Sequence, residues 1–303
     1  MSSVTLDRLP GEQAVLEKAA NENFPVALRL LAPSERENLM AVYGYARLVD
    51  DVGDELEGTT SDRLAALDLV ESELDRAFAG TAAHPVFRRL AATITGCRLD
   101  RQPLADLITA NRLDQTRTRY ETFDELVDYC RFSANPVGRL VLAVFGQGGP
   151  ERDELSDLVC TALQLVEHFQ DVGEDAGRGR VYMPGEDLAR FSVPLDLLAD
   201  GVPPADVPAS FRRLMAFEVS RARSMLKAGS RLVGILTNRR AALAIAGFAG
   251  GGLAQLAAIE RAGYDVLSSE VKASHAAVAR AAIVLLAGRP LRSRGDTGLR
   301  AST

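Results

Sequence analysis

The stretch RLVDDVGDE, Arg47 to Glu55, crowds Asp50, Asp51 and Asp54 together with Glu55 inside an otherwise apolar segment. At about 100° per residue on a helix, Asp50 and Asp54 lie within about 40° of each other and Asp51 about 100° from Asp50. Far downstream, LQLVEHFQDVGED (Leu163 to Asp175) repeats the device. Taking Gln164 as zero, His168 falls at about +40°, Asp171 at about −20°, Asp175 at about +20° and Glu167 at about −60°. Like charges at this spacing repel by a few tenths of a kcal/mol per pair, and more when buried. A lone acidic stripe faces solvent as readily as it builds a site. Two such stripes in apolar helices are expected to turn inward, where unpaired carboxylates are very costly. Mg²⁺, with Mn²⁺ as a substitute, resolves the conflict: it takes one or two carboxylate oxygens per site and leaves other positions to water and phosphate oxygens. The expected metal set is Asp50, Asp51, Asp54, Asp171 and Asp175, with Glu167 one turn before Asp171 as an added carboxylate. Glu167 has a second reading as a rim residue, and His168 as filler against a neighbouring helix.

Nearby cations fit a diphosphate beneath the metal. Arg47 lies one turn before Asp50 and Asp51, and Arg178 and Arg180 follow Asp175. An Arg fork suits phosphate geometry, although Arg47 also stands where an i,i+4 partner of Asp51 would. No GxxxxGK[ST] or GxGxxG loop is present, which argues against a nucleotide as the phosphate source.

The elements that must position these groups read as helices almost throughout, with little alternation of β-branched or aromatic residues. PSEREN (Pro33 to Asn38) offers a Ser cap with acidic residues in a first turn, and TTSDRLAALDLVESELDRAFAG runs from a cap to Gly80. The predicted class is all-α, one domain over residues 21–288, with a flexible segment at 1–20 and a basic, turn-rich tail at 289–303. Ala241 to Ile259 is uncharged and about the length of a membrane span. Its Ala and Gly content and the interrupting Gln255 favour a buried helix. A net charge of −6 excludes a surface built to wrap nucleic acid. Cys97, Cys130 and Cys160 form no CxxC pair, and no basic, then apolar, leader opens the chain. The expected location is the cytoplasm.

YGYARLVDDVGDE and LQLVEHFQDVGEDAGRGRVYMP, with YCRFSANPVGRLVL between them, resemble the squalene/phytoene synthase family over about Asn21 to Tyr264. The resemblance implies an isoprenoid-synthase helical fold with a central cavity and Mg²⁺ held between two Asp-rich helices and a prenyl diphosphate. Carried over residue by residue, Tyr43, Arg47, Asp50, Asp51 and Asp54 match the first motif, and Gln164, Asp171, Asp175, Arg180 and Tyr182 the second. Asp114 and Tyr129 stand where the family has an Asp and a Tyr, with a core role as the alternative for an isolated Tyr.

Departures point to a branch. Asn21, Glu22 and Asn23 of NENFPVA replace the Ser-Lys/Arg-Ser stretch of head-to-head condensing members, and Ala134 to Gly138 reads Ala-Asn-Pro-Val-Gly. Together with the Gln170-Asp171 pair these resemble the hydroxysqualene synthase branch, from which Glu167 and His168 depart. GYDVLSSEVKAS lacks a basic residue often found after its Tyr. The implied reaction ionises presqualene diphosphate and lets water capture the cation. Asp50, Asp54, Asp171 and Asp175 would act through metal, Arg47 and Arg180 on the leaving anion, and Ser133 and Asn135 on the water. Farnesyl diphosphate condensation and a non-catalytic assembly role are the alternatives. Peripheral membrane association through the lipid substrate and product is expected, with pathway enzymes as further partners.

Overall fold

Proline and capping carboxylates set where the helices begin. In the computed structural model, which describes residues 5–18, 31–198 and 207–288, the helices are α1 (Glu12–Lys18), α2 (Pro33–Asp54), α3 (Thr60–Phe78), α4 (Pro85–Cys97), α5 (Arg101–Asp114), α6 (Phe123–Ser133), α7 (Asn135–Val144), α8 (Pro150–Gln170), α9 (Val172–Gly177), α10 (Gly185–Phe191), α11 (Ala209–Gly229), α12 (Leu232–Ile235), α13 (Arg239–Arg261) and α14 (His275–Ala287). Four of them (α2, α4, α7 and α8) carry Pro at one of the first two helical positions, where its missing N–H costs nothing. Ser34 is therefore not the cap of α2. Pro33 starts that helix, and Glu35 accepts from the Ala32 N–H at 2.9 Å. Thr59 caps α3 by accepting from Asp62 N, and the chain turns at Gly80 with φ 73°.

Two apolar cores meet along α5 and α13, each of which contributes to both. The first gathers α2 to α5, α7 and the start of α13; the second gathers α6, α8, α10, α11 and the far half of α13. Fully buried residues such as Leu48, Leu67 and Leu90 each contribute about 1.5–3 kcal/mol through lost apolar exposure. α13 is the one described helix long and apolar enough to cross a membrane, and two-thirds of its most apolar stretch, 67%, lies inside the protein. Gln255 holds a structural post: its amide donates to Val271 O at 2.5 Å and accepts from Ala273 N at 2.8 Å, pinning the return toward α14. The N-terminal residues are not loose where described. Leu9 and Val15 are buried in the first core, anchors too few for a periodic signal. NENFPVA, Asn21 to Ala27, and the basic tail lie outside the described residues.

One zipper matters for the site. Val181 N donates to Thr118 O at 2.8 Å, Gly185 N to Tyr120 O at 2.9 Å and Glu186 N to Glu121 O at 2.9 Å. This lays the chain after the second acidic motif along the entrance to α6. α10 is then clamped to α11: Arg221 donates to Asp187 at 2.8 Å and to Glu218 at 3.1 Å, beneath the ring of Phe123. Asp187 is 3% exposed and Glu218 fully buried. Burial pushes the Glu218 carboxyl up to about 8, against the pull of Arg221 and with Asp187 opposing its charge.

A raised carboxyl binds its proton more tightly folded than unfolded, so its contribution is fully present below its unfolded value of 4.5 and is lost as pH rises through about 8. Glu218→Gln, permanently neutral, should flatten this part of the melting profile. Wild type should lose a few degrees more than the variant between mildly acidic and mildly alkaline buffer, read by circular dichroism melts.

Candidate active site

The two acidic helices meet across a cleft, and the contact that joins them is ionic. Arg180, just past α9, donates to Asp54 Oδ1 of α2 at 2.7 Å, across 126 residues of chain. Asp50 lies one turn back on the same face of α2. Its carboxylate opens to the cleft yet sits so deep that desolvation pushes it up to about 7, with Asp54 and Glu167 adding to the rise. Asn111 of α5 opposes this by donating to Asp50 Oδ1 at 3.0 Å. The approach needs Gly53: a Cβ there would overlap the Asn111 amide. Gln115, one turn on, donates to Gly53 O at 2.9 Å and closes the support.

Asp51 faces elsewhere. It is 5% exposed and held by Arg47 at 2.7 Å and Lys18 at 2.9 Å, while the same two cations bind Glu55 at 3.0 and 2.7 Å. This corrects two expectations. Asp51 lies about 100° round the helix from Asp50 and is consumed by a charge clamp, and Arg47 is engaged there in its i,i+4 role. Tyr43 stands one turn before Arg47 on α2.

The second motif is not one unbroken helix. α8 stops at Gln170, Asp171 takes φ −100° and ψ 16°, and α9 begins at Val172. The Asp175 N to Asp171 O bond, 2.8 Å, keeps the turn close to helical. Asp171 is exposed at the cleft, and partial burial with Glu167, Asp175 and Glu174 pushes it up to about 6. Glu167 is exposed too. Gln164 reaches both Glu167 (3.5 Å) and His168 (3.4 Å). His168 is buried, stacked on Tyr182 at 3.8 Å, with Nδ1 3.7 Å from Asp175. Arg178 is exposed and paired with Glu174, so it does not join the site.

Beneath the carboxylates lies an aromatic floor. Tyr120, Tyr129 and Tyr182 stand 5.3–5.9 Å apart, ring centre to ring centre. Tyr129 donates to Asp114 Oδ2 at 2.7 Å, while Asp114 Oδ1 is buried without a hydrogen-bond partner. Desolvation pushes Asp114 up to about 6. Ser133 follows Tyr129 by one turn on α6, and its buried hydroxyl also has no hydrogen-bond partner. Asn135 is buried, with its carbonyl occupied by Thr161 at 2.9 Å, so it holds α7 to α8 instead of facing a reactant. The sequence reading missed Lys18, Asn111, Gln115 and Tyr120. Asn111 carried a faint signal, being one turn before Asp114 on α5.

Among the described residues no three His, Cys, Asp or Glu groups close on one point. The donor chemistry nonetheless fits a hard dication: both faces present carboxylate oxygens, and Asp50 and Asp171 are raised partly by neighbours of their own sign. A cation between the helices would relieve that repulsion.

The family model described as squalene/phytoene synthase matches residues 18–277. The chain belongs to the squalene/phytoene synthase family. Its relatives include a hydroxysqualene synthase of Sinorhizobium fredii, 36% identical over 213 residues and 70% of each chain. A phytoene synthase of Arthrospira platensis is 36% identical over 215 residues, 67% of this chain and 68% of that one. Among solved structures, squalene synthase HpnC from Alicyclobacillus acidocaldarius is 42% identical with a TM-score of 0.74, covering 87% of this chain and 98% of that one. A dehydrosqualene synthase in complex with ligand superposes with a TM-score of 0.77 at 23% identity, covering 91% and 95%, which shows the shared fold. This member of the family therefore has the all-α isoprenoid-synthase fold and is an enzyme that processes prenyl diphosphates; the non-catalytic alternative falls away.

Groups that orient acidic ligands typically weaken activity 10–100-fold when removed. Asn111→Ala should lower kcat/KM by about that range with an unchanged helical spectrum. Gly53→Ala, which drives the amide off, should do the same. Steady-state kinetics at fixed Mg²⁺ check both.

Proposed function

We propose that the enzyme converts presqualene diphosphate and water to hydroxysqualene and diphosphate. One arrangement carries the reading: a guanidinium, Arg180, held between two helices of carboxylates at a cleft floored by tyrosines. The hydroxysqualene synthases among its relatives support this branch, including one of Zymomonas mobilis at 38% identity over 190 residues.

Asp50, Asp54, Glu167, Asp171 and Asp175 would hold Mg²⁺, which when bound supplies Lewis-acid neutralisation of the diphosphate. Arg180 already sits beside Asp54, so its fork is placed to take the diphosphate oxygens as charge builds on them. The carbon–oxygen bond breaks with both electrons leaving on the diphosphate. Tyr120, Tyr129 and Tyr182 stay neutral, because burial raises all three hydroxyls above their ordinary 10.0. Their ring faces suit the carbocation left behind. Ser133, with its unpaired buried hydroxyl, is the group to hold the water. That water forms the new carbon–oxygen bond, and its proton goes to the departing diphosphate. No reductant is consumed.

Condensation of two prenyl diphosphates is the second reading, favoured by the 36% identical phytoene synthase. Incubating the protein with Mg²⁺ and either presqualene, farnesyl or geranylgeranyl diphosphate separates them. Hydroxysqualene from the first alone is expected; efficient coupling of farnesyl or geranylgeranyl groups would move the protein to the second reading. EDTA should abolish turnover, and Asp50→Asn or Asp171→Asn should reduce kcat by orders of magnitude with the fold intact. Normal activity in either variant would overturn the site.

Glu167 adds charge that an amide would lack. Glu167→Asn should therefore keep activity at a higher Mg²⁺ requirement, and Glu167→Ala should lose most of it. Identical Mg²⁺ titration curves for wild type and both variants would leave Glu167 as a rim residue.

A further inference from the structure

His168 bridges the break between α8 and α9. It belongs to the last turn of α8, yet its ring touches what lies beyond the break. One face stacks on Tyr182, with ring centres 3.8 Å apart and planes 9° from parallel. The Nδ1 edge faces Asp175 Oδ2 of α9 at 3.7 Å. The Nε2 edge faces Gln164, one turn back on α8, at 3.4 Å. Val172, Val181, Met183 and Leu198 wall in the rest, and the residue is 8% exposed. Space-filling alone would need no nitrogen at either edge.

The neighbours decide which nitrogen carries the hydrogen. A carboxylate only accepts, so Gln164 turns its amide nitrogen, not its oxygen, toward Glu167 Oε2 at 3.5 Å. The same nitrogen has a second hydrogen, and His168 Nε2 lies where it is donated. A ring nitrogen that accepts does not carry the ring hydrogen, which places it on Nδ1, facing Asp175. At 3.7 Å the N–H and the carboxylate stop short of a hydrogen bond. A small turn of the Asp175 side chain closes that gap. Glu167 and His168, the two residues in which this chain departs from the hydroxysqualene synthase branch, therefore belong to one line of contacts that runs Glu167, Gln164, His168, Asp175.

We propose that His168 is a positioning residue: its Nδ1 hydrogen aims Asp175, and its ring face sets Tyr182 in the aromatic floor. Carboxylates that bind metal are commonly oriented by such an outer hydrogen bond. The inference rests on the proposed Mg²⁺ role of Asp175, and not on which prenyl diphosphate is consumed.

Nitrogen-15 spectra of the ion-free full chain, labelled at histidine and held in mildly alkaline buffer, read the ring directly. The chain has three histidines, and the signal missing from His168→Phe identifies the one in question. A hydrogen on Nδ1 and none on Nε2 is expected; a hydrogen on Nε2 overturns the proposal. This measurement stands on wild type even if a variant folds poorly. Two variants then separate the two tasks. His168→Phe keeps the stacking face and loses the hydrogen, whereas His168→Asn keeps an N–H near the place of Nδ1 and loses the face. In Mg²⁺ titrations at fixed inorganic diphosphate, followed by melting temperature, His168→Phe should need about tenfold more Mg²⁺ or beyond. His168→Asn should recover most of that loss. The near-UV circular dichroism of tyrosine, unobscured because the chain has no tryptophan, should change in His168→Asn and stay in His168→Phe. A wild-type Mg²⁺ requirement in His168→Phe, or His168→Asn no better than His168→Phe, overturns the inference and leaves the carboxylate site standing. A wild type whose melting temperature ignores Mg²⁺ and diphosphate overturns the carboxylate site itself, and the inference with it.

Discussion

Like charges forced onto facing helices are the constraint on which this structure turns. Asp50 and Asp171 stand where desolvation and neighbouring carboxylates disfavour their ionisation, and protein alone does not neutralise them. The remedies present are partial. Arg180 takes Asp54, and Asn111 gives Asp50 one hydrogen bond. What remains uncompensated is electrostatic work available to a cation and an anionic substrate, and that work is the source of binding in the proposed reaction.

The rest of the molecule separates charges that serve the fold from those that serve the cleft. Asp51 and Glu55 are absorbed by Arg47 and Lys18, which ties α1 to α2 and leaves the other face of α2 to Asp50 and Asp54. On the far side, Arg221 absorbs Asp187 and Glu218 and locks α10 to α11. The backbone zipper from Val181 to Glu186 can then deliver Tyr182 against Tyr129 and Tyr120. A rigid aromatic floor under a strained acidic rim follows from where these arginines sit.

Much of this was legible in the residues. The helical period alone put Asp50 with Asp54 and Asp171 with Asp175, and the apolar yet Gly- and Gln-containing Ala241–Ile259 segment read as an inner helix, as its burial bears out. What periodicity cannot see is which distant residue arrives. Lys18 lies 33 residues from the Asp51 it holds, and Asn111 lies 61 from Asp50, so the split between structural and cleft-facing carboxylates was hidden. The break at Asp171 was hidden for another reason. The i,i+4 bond to Asp175 preserves the spacing while the backbone leaves the helix, so a wheel drawn through it still places the side chains nearly correctly.

The central claim is that the cleft is destabilised by its own carboxylates until ions arrive, and thermal melts of wild type and Asp50→Asn test it directly at about pH 8, where Asp50 is charged. Without ions the variant should melt above wild type, because one repelling charge is gone. With Mg²⁺ and inorganic diphosphate the order should reverse, since ligands that bind the folded state raise the melting temperature of the protein that binds them. A variant that melts below wild type without ions, or a wild type indifferent to Mg²⁺ and diphosphate, would contradict the account.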